Sequence, residues 1–172
     1  MNKIEVVQSS QPLVTKTASS RPTAPAAANA SKSAGFSAIL RSRMLSSIQS
    51  KLGSPYRYGS TGPNTYDCSG LVWTVFNEIG VKFERSSART FWSEFEPVEG
   101  DDRYRFGTLV FFNGLGHIGI VVDKKGFYHA SSSKGVTYSQ FEGYWEKRIV
   151  GFRRVPLEKL LYQPPSTDEK EK

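Results

Sequence analysis

Cysteine is almost missing from this chain: of its 172 residues a single one, Cys68, carries a thiol. No internal disulfide can form, so the fold is not a stapled scaffold, and the lone thiol is left as packing, ligand or nucleophile. Histidine is nearly as scarce, with only His117 and His129. A run of about 18 apolar residues is also lacking, so no membrane-spanning helix is expected. The opening "MNKIEVVQSSQPLVTKTASS" has no continuous apolar segment of the kind a secretory signal needs. No cysteine stands near the start to carry a lipid, and no internal repeat is visible.

What is present in excess is positive charge, a formal net +7. Such a balance attracts acidic partners: cell-wall polymers or peptide carboxylates, anionic lipid headgroups, or nucleic acid. The pairs Lys124-Lys125, Lys147-Arg148 and Arg153-Arg154 read as a solvated face. No nucleic-acid-binding module pattern accompanies them, so no nucleic-acid partner is expected.

Residues 1–34 are rich in Ser, Ala, Thr and Pro without an apolar period, which predicts a disordered linker or tether. A folded domain is expected over 35–156, and a polar tail over 157–172. Within the domain, Ile39, Leu40, Met44, Ile48 and Leu52 recur at three- to four-residue steps, predicting a helix that Gly53 ends. A Gly-, Pro- and Asn-rich loop, "GSPYRYGSTGPNTY", follows. Cys68, Leu71, Val72, Val75, Phe76 and Ile79 then fall on one face of a second helix, with Asp67 as its N-cap and Gly80 as its stop. After Gly107 the pattern changes to "TLVFF", "HIGIVVD", "FYHASS", "GVTYS" and "IVGFRRV", short β-branched and aromatic runs between Gly-containing turns. Helices followed by an antiparallel meander predict an α+β domain with the sheet packed on the cysteine-bearing helix.

Cys68 is thus placed in the first turn of a buried helix, where unpaired backbone N–H groups and the helix dipole favour thiolate. His117 opens one strand and His129 lies on the next across the Lys124-Lys125-Gly126 turn, so the two imidazoles are expected on antiparallel neighbours. A thiol, an imidazole to take and return its proton, and a third polar group to hold that imidazole suffice for nucleophilic catalysis. The competing chemistry is zinc bound by Cys68, His117 and His129, but no short ligand pair such as C-x-x-C or H-x-x-x-H is present.

The elements "GSPYRYGSTGPNTYDCSGLV", "ERSS", "GTLVFF", "HIGIVV", "FYHASSSKGV", "YWEKR" and "FRRV", in this order, resemble the NlpC/P60 cysteine peptidases, which hydrolyse stem peptides of bacterial peptidoglycan. "HASSSKGV" and "YWEKR" are most like the Spr-type lipoprotein endopeptidases of that family. The resemblance implies a papain-like α+β fold, Cys68 as nucleophile, His117 as general base, His129 as the residue orienting it, and Tyr56 as a site-lining tyrosine that helps hold the oxyanion. It also implies peptidoglycan peptides as partner, no cofactor, and a periplasmic, secreted or cell-envelope location. Relatives read Gly-Asp-Leu-Val where this chain has Gly107-Thr108-Leu109-Val110, Leu-Pro-Arg at Phe83-Glu84-Arg85, and Gln at Thr90. These departures touch substrate contacts and packing rather than nucleophile or base.

Arg85, Asp67 and Ser69 are candidate substrate contacts, Arg85 because the stem peptide carries free carboxylates. The rival readings are a wall-binding module without turnover, an amidase or acyltransferase on another acyl donor, and an antibacterial toxin with the same chemistry.

Overall fold

The computed structural model describes residues 25–161; the first 24 residues of the expected tether and the last 11 of the expected tail lie outside the described residues. Helix α1 (Pro25–Gln49) begins inside the stretch read as a linker. Proline suits a first helical turn and alanine is the strongest helix former, so "PAAANA" supplies helix propensity without an apolar period. Leu40, Met44 and Ile48 form its buried stripe, whereas Ile39 and Leu52 of the same predicted face are 55% and 46% exposed. Ile39 lies one residue, and so about a quarter-turn, off that stripe, and Leu52 follows the helix end. The buried Lys51 Nζ, 2.6 Å from the Glu78 carboxylate, ties the end of α1 to the second helix.

That second helix, α2 (Cys68–Glu78), starts where the sequence puts it: the Asp67 carboxylate accepts the Gly70 N–H at 2.6 Å. Leu71, Val72, Val75 and Phe76 are almost fully buried. The first turn also presses against the preceding loop, whose Ser60 carbonyl accepts the Asp67 N–H at 2.9 Å. A Cβ on Gly70 would stand 2.1 Å from that carbonyl oxygen. Helix α3 (Ala88–Glu94) is capped by Ser87 and adds Phe91, which packs with Phe83 and Phe95.

The sheet has six strands: β1 (Glu96–Pro97), β2 (Leu109–Phe112), β3 (His117–Val121), β4 (Gly126–Ser131), β5 (Gly135–Gln140) and β6 (Ile149–Arg154), in the order β1-β6-β2-β3-β4-β5. All pairings are antiparallel. Strands β2 to β5 are the expected meander, while β6 crosses back to the far side of β2. Because side chains alternate along a strand, Leu109, Phe111, Ile118 and Ile120 pack with α1 and α2. Val110, Phe112, Val121, Phe127 and Phe152 form a second core under Tyr104, Phe141, Trp145 and Ile149. With both faces covered, β2 is buried at every position, which is why it reads as an unbroken apolar run. Among the described residues no helix is long and apolar enough to cross a membrane.

The close approach at Gly70 has a direct test. Gly70→Ala should cost about 2 kcal/mol or more, as overpacking against backbone does, read as a lowered midpoint in thermal or urea unfolding. A variant as stable as the wild type would mean that the helix start and the Ser60 loop are not in contact.

Candidate active site

Asp67 organises the surroundings of Cys68. Its carboxylate accepts the N–H of Gly70 at 2.6 Å and of Gly59 at 2.7 Å, and the two oxygens take Arg85 Nη2 at 2.9 and 3.0 Å. Arg85 Nη1 reaches Ser69 Oγ at 2.9 Å and also the Ser86 carbonyl. Arg85, Asp67 and Ser69, read from sequence as substrate contacts, are therefore joined to one another beneath the helix start. The guanidinium charge expected to face a substrate carboxylate is met inside the protein by Asp67.

Cys68 follows as the first residue of α2 and is partly buried against the main core. Burial pushes its thiol up from the ordinary value, and the Asp67 carboxylate adds to this. The backbone N–H groups of Ser69, Ile118 and Cys68 itself pull the other way without overcoming it. The sequence reading expected the helix terminus to favour thiolate; burial and the Asp67 carboxylate act against it. Its reach to the Ile118 N–H brings it one residue from His117.

The two histidines do meet. His117 Nε2 lies 2.8 Å from His129 Nδ1, and the remaining His129 nitrogen, Nε2, lies 2.9 Å from Ser139 Oγ. They are not directly opposite: β3 and β4 pair Ile120 with Tyr128 and Val121 with Phe127, and in that register His117 is offset from His129 by two residues. His117 therefore reaches His129 diagonally, past a glycine whose Cβ would lie 2.5 Å from the Phe127 ring. Trp145 forms the wall of the pair, stacked on His117 at 5.2 Å and edge-on to His129 at 4.8 Å. Burial pushes His117 down to about 4. Burial, then His117, then Lys134 push His129 down to about 3. Both imidazoles are neutral at pH 7. Since the facing nitrogens are spent on each other, they do not converge with Cys68 on one point. Among the described residues no group of three or more His, Cys, Asp or Glu is gathered for a metal ion.

A cavity of about 430 Å³ opens over the pair, with Tyr56, His117, His129, Lys134, Ser139 and Trp145 in its lining. Cys68 is not part of that lining, and among the described residues its sulfur makes no hydrogen bond to either imidazole. Tyr56 connects the two sides: it lines the cavity, and its phenol is pushed up by burial first and then by Cys68 and Asp67. A larger hollow of about 570 Å³ between α1 and the end of α2 includes Arg43, Ser47 and Glu78 but holds no nucleophile and base together. Ser139 and Trp145 are the site residues that sequence reasoning missed. Trp145 stood in the "YWEKR" element, and Ser139 lies two residues from the Thr137 that pairs with His129, hence on the same face.

A family model described as NlpC/P60 family matches residues 53–154. The chain is 35% identical over 129 residues to "Probable endopeptidase p60" of Listeria grayi, covering 73% of this chain and 24% of that protein. It is 31% identical over 117 residues to "Probable peptidoglycan endopeptidase LytE" of Bacillus subtilis, covering 66% of this chain and 34% of that protein. The chain thus spans about a quarter to a third of the length of these curated relatives. A crystal structure from Staphylococcus aureus, described as similar to a lipoprotein of the NLP/P60 family, superposes with a TM-score of 0.59 at 26% identity. That match covers 67% of this chain and 41% of the other.

The buried neutral histidines make stability depend on pH. With His117 lowered from 6.5 to about 4, the unfolded chain takes up a proton in that window that the folded chain refuses. Its contribution is complete above 6.5 and is lost as the pH falls toward 4, on the order of 3 kcal/mol at about 1.4 kcal/mol per pKa unit. The melting temperature should therefore fall steeply between pH 6.5 and 4, and His117→Gln should flatten that dependence. Equal slopes for variant and wild type would refute the assignment.

Proposed function

The chain belongs to the NlpC/P60 family, and on that premise we propose that it is a peptidoglycan endopeptidase acting through a thioester on Cys68. The observation that carries this reading is the hydrogen-bonded His117–His129 pair at 2.8 Å, lining a cavity with a tyrosine whose ionisation feels Cys68. His117 is the general base, His129 orients it, and the folded segment 35–156 is the catalytic domain.

In the substrate-free site, thiol and imidazole are both neutral. As Sγ attacks the amide carbonyl, its proton passes to His117, so the thiolate exists only while it is forming the new bond. The tetrahedral oxyanion is held by the Cys68 backbone N–H with help from Tyr56. His117 returns the proton to the leaving amine, the C–N bond breaks, and a thioester remains. Water, losing a proton to the same imidazole, adds to the thioester, and the thiol is released with its proton restored.

The substrate bonds this reading names are D-Ala to diaminopimelate in a cross-link and γ-D-Glu to diaminopimelate in a stem peptide. Lys134 and the three serines before it give the cavity rim one cation among hydroxyls, which supports a substrate bearing carboxylates. Such a substrate places the protein in the cell envelope, with the segment ahead of the domain as its tether.

Digestion of purified peptidoglycan, with products identified by mass spectrometry, tests the reading and names the bond. Wild type should release new fragments and Cys68→Ala none. His117→Ala should lose about 10²–10⁴ of the rate as a missing general base does, and Tyr56→Phe up to about 10². Fragments from Cys68→Ala would overturn the scheme; none from a folded, reduced wild type would point to wall binding without turnover.

A further inference from the structure

We propose that Ser139 is a positioning residue: by accepting a hydrogen bond from His129 Nε2 it fixes the tautomer of His129 and, through it, that of His117. The inference rests on the reading of His117 as the base for Cys68.

A neutral imidazole has one N–H, so a chain of two imidazoles and a hydroxyl has a direction. In one direction His117 Nε2–H donates to His129 Nδ1 across 2.8 Å, and His129 Nε2–H donates to Ser139 Oγ across 2.9 Å. His117 Nδ1 then carries a lone pair and can take the thiol proton. In the other direction Ser139 donates to His129 Nε2, His129 Nδ1–H donates to His117 Nε2, and His117 Nδ1 holds the hydrogen. That arrangement has no base for Cys68. The identity of the donor at Ser139, two residues removed in the relay, therefore decides whether His117 can act.

Several features favour the productive direction. Ser139 lines the cavity and is half-buried, so its own hydroxyl hydrogen is free to turn toward solvent while a lone pair accepts. His129 is 1% exposed, and among the described residues Ser139 is the only side chain bonded to its Nε2. Leaving that buried nitrogen without a partner would be costly. The β4–β5 register sets the contact by pairing His129 with Thr137 and Phe127 with Ser139, so the serine reaches the imidazole diagonally on the same face. A hydroxyl also differs in kind from a carboxylate at this place: it accepts without adding charge, so it orders the pair without holding it as an imidazolium.

The chain has two histidines, so ¹⁵N-labelled imidazoles give a simple spectrum, assigned with His129→Gln. At neutral pH both rings of the wild type should carry hydrogen on Nε2. Ser139→Ala should show mixed tautomers at His129 and a kcat lowered roughly fivefold, the scale of one neutral hydrogen bond, with KM unchanged. Ser139→Thr should restore both readouts. A hydrogen on His117 Nδ1 in the wild type, or a Ser139→Ala protein with wild-type tautomers and kcat, overturns the inference. If Ser139→Ala does not fold, the wild-type spectrum and the threonine variant still decide. A wild type that cleaves no peptidoglycan defeats the functional reading, while the tautomers are read without substrate.

Discussion

The rest of the structure depends on one carboxylate. Asp67, 5% exposed, caps α2, holds the Gly59 turn and accepts Arg85 Nη2 across both of its oxygens. Each contact fixes a different chain segment relative to the next residue, Cys68. The same proximity adds to burial in working against ionisation of the Cys68 thiol, since a negative charge beside a thiol opposes a second one. Position and reactivity are set in opposite directions by one side chain, and the fold resolves the conflict in favour of position. A thiol held toward its neutral form is also less exposed to adventitious oxidation.

The opposite wall follows a related logic. Trp145, Phe112 and Phe127 surround the imidazoles with aromatic rings, and the resulting desolvation keeps both neutral. This wall belongs to the second core, the one away from α1 and α2. The sheet thus separates the layer that holds Cys68 from the layer whose rings surround the imidazoles, and His117 stands at the start of β3.

What could be read from sequence was what is local. Asp67 and Cys68 were legible because a cap and a first turn are defined within four residues, and the apolar stripe of α2 is periodic. The pairing of His117 with His129 was legible because a short turn joins their strands, although its diagonal character depends on Gly119 and the β3–β4 register. The state of the thiol was not legible, because the helix end is visible in sequence and the burial that outweighs it is not. The pairing of Arg85 with Asp67 was not legible, because that partner lies 18 residues earlier in the chain. Trp145 and Ser139 stayed hidden for the same reason: what brings them to the site is tertiary packing and strand register.

The return of β6 to the middle of the sheet has a consequence in time. Among the described residues the last strand, β6, sits between β1 and β2, so this sheet cannot close until residue 154 is available. The cysteine-bearing helix α2 and both histidine strands are all made before the piece that locks the second core. During synthesis the parts of the site exist without their frame. A nascent or C-terminally cut chain would carry Cys68, His117 and His129 yet lack the strand that closes the second core.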